Sequence, residues 1–179
     1  MAAREAAEHH HHDHSHHAHG GHAHQHGHDH AVCIADALEK AEAHCAATGA
    51  KLTPIRRRVL ELIWNSHKPA GAYDLLGELS RDGQKVAPPT VYRALDFLVE
   101  SGLVHRVESL NAFIGCTEPG HERQQEIFLC RECGTAFEIS DPELGKRIQH
   151  NAASLGFKVE RQTIEVVGLC RDCRDKIAA

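Results

Sequence analysis

Apolar positions along the chain follow a helical rhythm first and a strand rhythm later. Over residues 32–47, Ile34, Leu38, Ala41 and Cys45 recur at spacings of three and four. This spacing predicts a first helix, with Cys33 and Cys45 as small core residues. Thr53-Pro54 opens a second helix, with Thr as N-cap and Pro at the first helical position, where its missing N–H costs nothing. Ile55, Val59, Leu62 and Ile63 form its inner face, Arg56, Arg57 and Arg58 its outer face, and residues 65–69 break it. A third helix is expected over residues 72–79, closed by the Asp82-Gly83 turn. Pro88-Pro89-Thr90 precedes a fourth, with Val91, Leu95 and Leu98 in one stripe and Ser101-Gly102 at its end. Two β-rich runs follow, 103–107 and 112–115, joined by the polar residues 108–111. They read as a hairpin, and helices followed by such a hairpin predict a winged helix-turn-helix. A generic small helical domain is the alternative on pattern alone.

Past the loop 117–125 the pattern changes. Strands are expected at 127–129 and 136–139, flanking Cys130-Arg131-Glu132-Cys133-Gly134. Asp141-Pro142 starts a helix that reaches about residue 155 and is capped by Gly156. A long strand is expected over 157–167, and Cys170-Arg171-Asp172-Cys173 closes the unit. The fold class is therefore α+β: an N-terminal winged helix-turn-helix unit over 31–116, a hinge loop at 117–125, and a small α/β unit over 126–179. At about 60 residues, such a unit commonly uses a structural metal to supplement its core.

Composition sharpens this picture. Aromatic residues are only 4% of the 179, so the cores must rest on Leu, Ile, Val and Ala. No run approaches 18 apolar residues and no apolar segment opens the chain, which argues against a membrane helix or a secretory signal and for a cytoplasmic protein. Seven cysteines, four of them in two C-x-x-C pairs, read as metal binding in a reducing compartment. The net charge of −5 divides unevenly: residues 1–50 carry −5, residues 51–110 carry +2 and residues 111–179 carry −2. The middle segment alone is basic, too weakly to identify a nucleic-acid binder by charge. Of 18 histidines, 13 lie within residues 9–30. Residues 1–30 are a low-complexity His, Gly, Ala and Asp tail that cannot bury enough surface to order itself. Neutral imidazoles suit Zn, Ni or Cu, which makes the tail a candidate for weak extra metal binding. A cloning tag is the alternative, although here Ala, Gly, Asp and Ser interrupt the histidines.

The strongest motif is Cys130, Cys133, Cys170 and Cys173. Two thiolates on each tight knuckle can complete a Zn²⁺ tetrahedron. The closed ligand set makes the site structural and argues against a zinc enzyme; four unrelated thiols or a redox dithiol are the alternatives. A second group is His105 in the first wing strand, Cys116 after the second, His121 in the following loop, and Glu138 beyond the first knuckle. All four gather at the seam between the two units, and an N/S/O set suits Zn²⁺. Singly, each is an ordinary core or surface residue.

Thr53-Pro54-x-Arg56, Ala72-Tyr73-Asp74-Leu75-Leu76 and the run from Pro88 to Leu98, PPTVYRALDFL, resemble the ferric uptake regulator family. With GLVHRVES, the strand ending in Cys116 and both knuckles, the likeness is greatest to its zinc-responsive branch and covers residues 52–173. The iron- and peroxide-sensing branches usually carry H-H-x-D-H before the first knuckle; residues 122–126 here have no such run. The resemblance implies a homodimer with a C-terminal dimerisation unit and a DNA-binding N-terminal unit. It implies zinc-dependent repression of zinc-uptake genes and two zinc ions per subunit, the regulatory one held by His105, Cys116, His121 and Glu138. The loop after Cys116 varies in length among relatives, which leaves Glu126 as the alternative third ligand. Gly77 and Ser80 stand where relatives can place a charge pair between neighbouring dimers on DNA. The helix over 90–100 would enter the major groove of a palindromic operator. Arg93 is the candidate for guanine, Tyr73, Thr90 and Tyr92 for thymine methyls or phosphates, and Arg56 for phosphate. A same-fold sensor of another metal or of peroxide, and a zinc buffer or metallochaperone, are the rival readings.

Overall fold

The computed structural model describes residues 30–66, 68–83, 85–120 and 126–178. Residues 1–29 of the His-rich tail lie outside the described residues. The order is α1 (His30–Thr48), α2 (Pro54–Trp64), β1 (Ala70–Gly71), α3 (Ala72–Arg81), α4 (Pro88–Glu100), β2 (Val104–Val107), a 3-10 turn (Glu108–Leu110) and β3 (Ala112–Gly115). Then come β4 (Glu126–Cys130), β5 (Ala136–Ile139), α5 (Pro142–Ser154), β6 (Ile164–Gly168) and α6 (Arg171–Ala178). No helix among the described residues is long and apolar enough to cross a membrane.

The predicted stripes meet in one helical core. Leu38, Ala41 and Cys45 of α1, Val59, Leu60 and Ile63 of α2, Leu75 and Leu79 of α3, and Val91, Leu95 and Leu98 of α4 pack with Val104 and Phe113 of the hairpin. Each fully buried Leu or Ile contributes on the order of 1.5–3 kcal/mol of transfer free energy. Pro54 occupies the start of α2 as expected, but the Thr53 side chain makes no capping hydrogen bond. Gly102 ends α4 at φ 65°. Its N–H reaches the Val99 carbonyl at 3.0 Å, and the Leu103 N–H reaches Leu98 at 2.9 Å. This paired closure needs a left-handed residue, which glycine adopts without strain. It leads directly into β2.

The first sheet has the order β1-β3-β2, all antiparallel. β1 is an element the hydrophobic pattern does not reveal: two residues long, it exists through pairing Ala70 with Phe113 and Gly71 with Ala112. Successive strand residues face opposite sides. Val104 and Phe113 therefore enter the helical core, while Val107 and Ile114 join Ile127, Leu129 and Ala136 in a second core. The second sheet has the order β5-β4-β6, with β4 antiparallel to β5 and parallel to β6.

The strand expected over 157–167 is corrected to Ile164–Gly168. β4 offers five residues, Glu126 to Cys130, and each pairs with one residue of β6. Residues 157–163 run past the end of that ladder. α6 is likewise a helix where only a knuckle was expected. α5 follows the prediction: the Asp141 carboxylate accepts the Glu143 and Leu144 N–H groups. Gly156, at φ 66°, closes its other end.

Gly115 is required for packing. A Cβ there would lie 2.2 Å from Cε2 of the Trp64 indole. Gly115→Ala should therefore destabilise the protein by about 1–3 kcal/mol, readable as a lowered denaturant midpoint at unchanged slope.

Candidate metal centres and recognition helix

The four knuckle cysteines converge. Their Sγ atoms all lie within 4.8 Å of one another, and Cys133 and Cys170 are 3.8 Å apart. A regular tetrahedron with Zn–S bonds of about 2.3 Å has sulfur–sulfur edges of about 3.8 Å, so the cluster fits a structural zinc. The first knuckle is shaped by Gly134 at φ 73°, whose N–H bonds the Cys130 carbonyl at 2.9 Å. The backbone N–H groups of Cys133 and Cys170 stabilise the Cys130 thiolate and pull its pKa down to about 6. The Thr135 hydroxyl, then its backbone N–H, lowers that of Cys133. Cys173, hydrogen-bonded to Cys170 and packed among the other sulfurs, is pushed up to about 12. Four adjacent thiols cannot all ionise without a cation to offset their repulsion. A bound dication supplies that charge.

His105, Cys116 and Glu138 form a second cluster, their ligand atoms again within 4.8 Å of one another. Strand parity explains the meeting. His105 lies on the same face of β2 as Val107, turned toward the second sheet, and opposes Ile114 in register. Cys116 directly follows β3 and is 4% exposed. Glu138 faces them from β5, with one carboxylate oxygen, Oε2, accepting the Thr117 N–H at 2.9 Å and the Thr117 hydroxyl at 3.0 Å. Its other oxygen, Oε1, sits 2.9 Å from His105 Nε2. Both of these atoms are buried, and among the described residues each has the other as its close polar neighbour. Burial pushes the Glu138 carboxyl up, but the facing imidazole and the Thr117 donors outweigh it and hold the pKa below the usual range. An imidazole nitrogen, a thiol sulfur and a carboxylate oxygen, gathered within 4.8 Å in a largely buried setting, fit a Zn²⁺ ion.

His121 lies outside the described residues. Glu126, the alternative third ligand, does not join the cluster. It opposes Ile139 in register while its neighbour Ile127 opposes Glu138, so its side chain leaves the other face of the sheet. There it is 2% exposed and accepts the Asp141 N–H at 3.0 Å. Thr117, which fixes the carboxylate of Glu138, has no signature in the sequence beyond following Cys116.

On the helical unit, Tyr73 and Tyr92 are 76% and 43% exposed. Arg93 is exposed and Thr90 half-buried in the first turns of α4. Arg56, the candidate for phosphate, also packs within the protein. Its guanidinium lies 3.5 Å over the Phe97 ring and donates to the Lys51 carbonyl at 2.7 Å, bracing α2 against α4. Arg57 and Arg58 are also engaged, with Glu42 and with Asp82 and Glu61.

The sequence profile of the ferric uptake regulator family matches residues 47–167. The chain belongs to this family. It is 39% identical over 141 residues to the zinc uptake regulation protein of Escherichia coli K12, covering 77% of this chain and 81% of that one. The zinc uptake regulation protein of Mycobacterium tuberculosis is 32% identical over 132 residues, covering 72% of this chain and 98% of its relative. Among solved structures, a zinc uptake regulator complexed with zinc and DNA superimposes with a TM-score of 0.76 at 36% identity, covering 82% of this chain and 98% of the other. Holo XcZur superimposes with a TM-score of 0.73 at 41% identity, covering 77% and 96%.

Zinc binding at a closed thiolate site is also folding free energy, on the order of 10 kcal/mol or more in small zinc units. Cys170→Ser should lose tightly held zinc by elemental analysis and show loss of structure by circular dichroism. A zinc-replete, folded variant would overturn the assignment.

Proposed function

We propose that this member of the ferric uptake regulator family is a zinc-responsive transcription regulator, not an enzyme, that binds palindromic DNA operators as a homodimer and represses zinc-uptake genes. The observation that carries the reading is the His105–Cys116–Glu138 cluster, because its residues come from both sides of the seam between the two sheets. His121 completes this set in the proposal, and the four knuckle cysteines hold a second zinc for structure. The boundaries 31–116, 117–125 and 126–179 divide the DNA-binding unit, the hinge and the dimerisation unit. When bound, the regulatory ion supplies a crosslink between wing and second sheet.

His105 and Cys116 bring the wing to that crosslink, and Glu138, held by Thr117, brings the sheet. Without it the two units sample several relative orientations; holding the seam closed selects the one that spaces two recognition helices for successive major grooves. α4 presents Thr90, Tyr92 and Arg93, and α3 presents Tyr73. The Arg93 fork suits guanine O6 and N7. Relatives named as zinc uptake regulators, one of them solved with zinc and DNA, support this assignment.

Dimerisation is supported by an apolar face on the second sheet. Phe128, Ile139 and Val166 share one face of that sheet and are exposed, and a groove of about 410 Å³ runs past Phe128, Phe137 and Val166. Contiguous exposed apolar surface of this kind marks an association site. The tail of residues 1–30 is assigned extra weak metal binding through its histidines.

Two variants test the proposal. His105→Ala should stay folded and dimeric, retain the knuckle zinc, and lose the exchangeable zinc together with zinc-stimulated DNA affinity. That coupling is typically 1–3 kcal/mol, or roughly 5- to 150-fold, within reach of a gel-shift titration; unchanged zinc dependence would reject the hinge site. Arg93→Ala should weaken operator binding by about 1–3 kcal/mol and relax discrimination at one guanine position. Identical specificity profiles from randomised operator pools would place base readout elsewhere.

A further inference from the structure

Glu165 of β6 reaches across the seam to the wing. Its Oε1 accepts the backbone N–H of Glu108 at 2.5 Å and its Oε2 that of Ser109 at 3.2 Å. These N–H groups open the 3-10 turn at the wing tip, where no intrahelical acceptor is available. A carboxylate bonded to two such donors forms a charge-assisted pair, stronger than neutral hydrogen bonds. The surroundings brace it. The Glu108 carboxylate pairs with Arg161 at 2.9 Å and Arg106 at 3.3 Å. Arg106 also donates to the Asn111 side chain at 2.8 Å, and Asn111 turns the tip at φ 47°.

The registers place this contact in a row. Glu165 opposes Ile127, and Ile127 opposes Glu138, so the three side chains cross the sheet on one face from the β6 edge to the β5 edge. Each meets the wing at a different point. Glu138 meets His105 near the start of β2, Ile127 packs with Val107 and Ile114, and Glu165 meets the tip just past the end of β2. The two ends of the row differ. At the Glu138 end a buried carboxylate oxygen and a buried imidazole nitrogen face each other at 2.9 Å beside the Cys116 thiol, whereas the Glu165 carboxylate accepts two backbone N–H groups of the wing.

We infer that Glu165 is a metal-independent pivot: it pins the wing tip to the second sheet, so that the hinge cluster at the other end of the row opens and closes about a fixed point. Glu165 is a positioning residue, outside the ligand set. The inference rests on the zinc-responsive reading above. A pinned wing keeps His105 and Cys116 near Glu138 in the hinge-empty protein, and an ion then binds a site already largely assembled. Without the pin, ion binding must also order the seam.

The test uses the full-length protein. Zinc is titrated against a chromophoric chelator, DNA binding is measured on a promoter fragment retained by wild type with zinc, and amide hydrogen exchange is followed with the hinge site emptied and the knuckle zinc kept. Glu165→Ala should retain the knuckle zinc and weaken zinc binding at the hinge about tenfold, inside the usual range for coupled sites. The Glu108 and Ser109 amides should lose protection, while DNA affinity at saturating zinc stays near wild type. Glu165→Gln keeps one acceptor oxygen at the same reach and should recover part of the zinc affinity; it carries the test if the alanine variant misfolds. Unchanged hinge-zinc affinity with unchanged amide protection overturns the pivot. So does a loss of DNA affinity that saturating zinc and Glu165→Gln both fail to restore, since that marks general damage. A wild type without exchangeable zinc or zinc-dependent DNA binding fails the functional reading instead, before any variant is compared.

Discussion

β2 and β3 are four residues each, and each divides its side chains between two cores. A hairpin of that length would be marginal alone. Here Val104 and Phe113 lean on the helices while Val107 and Ile114 lean on the second sheet, so the hairpin is a wall common to both. The position of the hinge cluster follows from that constraint. His105 shares the outward parity of Val107, and Cys116 leaves β3 at the same seam with its N–H bonded to the Leu103 carbonyl at 3.0 Å. Leu103 in turn bonds the end of α4. Two successive backbone hydrogen bonds therefore tie Cys116 to the end of α4.

The two ligand clusters are built differently. β4 and β6 are parallel, which requires a long crossover, here supplied by α5. The knuckles close the far end of that crossover: the Arg131 N–H bonds the Gly168 carbonyl at 3.0 Å, and the thiols bring the β4–β5 turn against the start of α6. Every ligand there comes from the same side of the seam. The hinge set has the opposite construction, with mixed donors contributed from both sides and Glu138 already oriented by Thr117. One set lies within a single sheet and its flanking turns, and the other spans the seam.

Much of this was legible in the residues. The stripes of α2 and α4, the hairpin, and the Asp141 and Gly156 caps are local signals, and local physics decides them. The knuckles are legible through spacing. His105, Cys116 and Glu138 could be grouped from residue type and family likeness, but nothing in their spacing reveals that Glu138 and Ile127 share a register while Glu126 points away. The overlong strand at 157–167 fails for the same reason: its alternation is strand-like, yet the length of its partner β4 sets where pairing starts. α6, RDCRDKIA, has no apolar stripe to announce it. The contact of Glu165 with two wing amides is invisible to sequence, because it joins residues more than fifty positions apart through backbone groups.

Trp64 is the chain's single tryptophan, and its ring presses on Gly115, the residue before Cys116. Indole emission responds to nearby charge and to the polarity of its surroundings. The protein thus carries an intrinsic fluorophore beside the hinge. Changes at Cys116 are positioned to alter its spectrum without any attached dye, and no second indole obscures them.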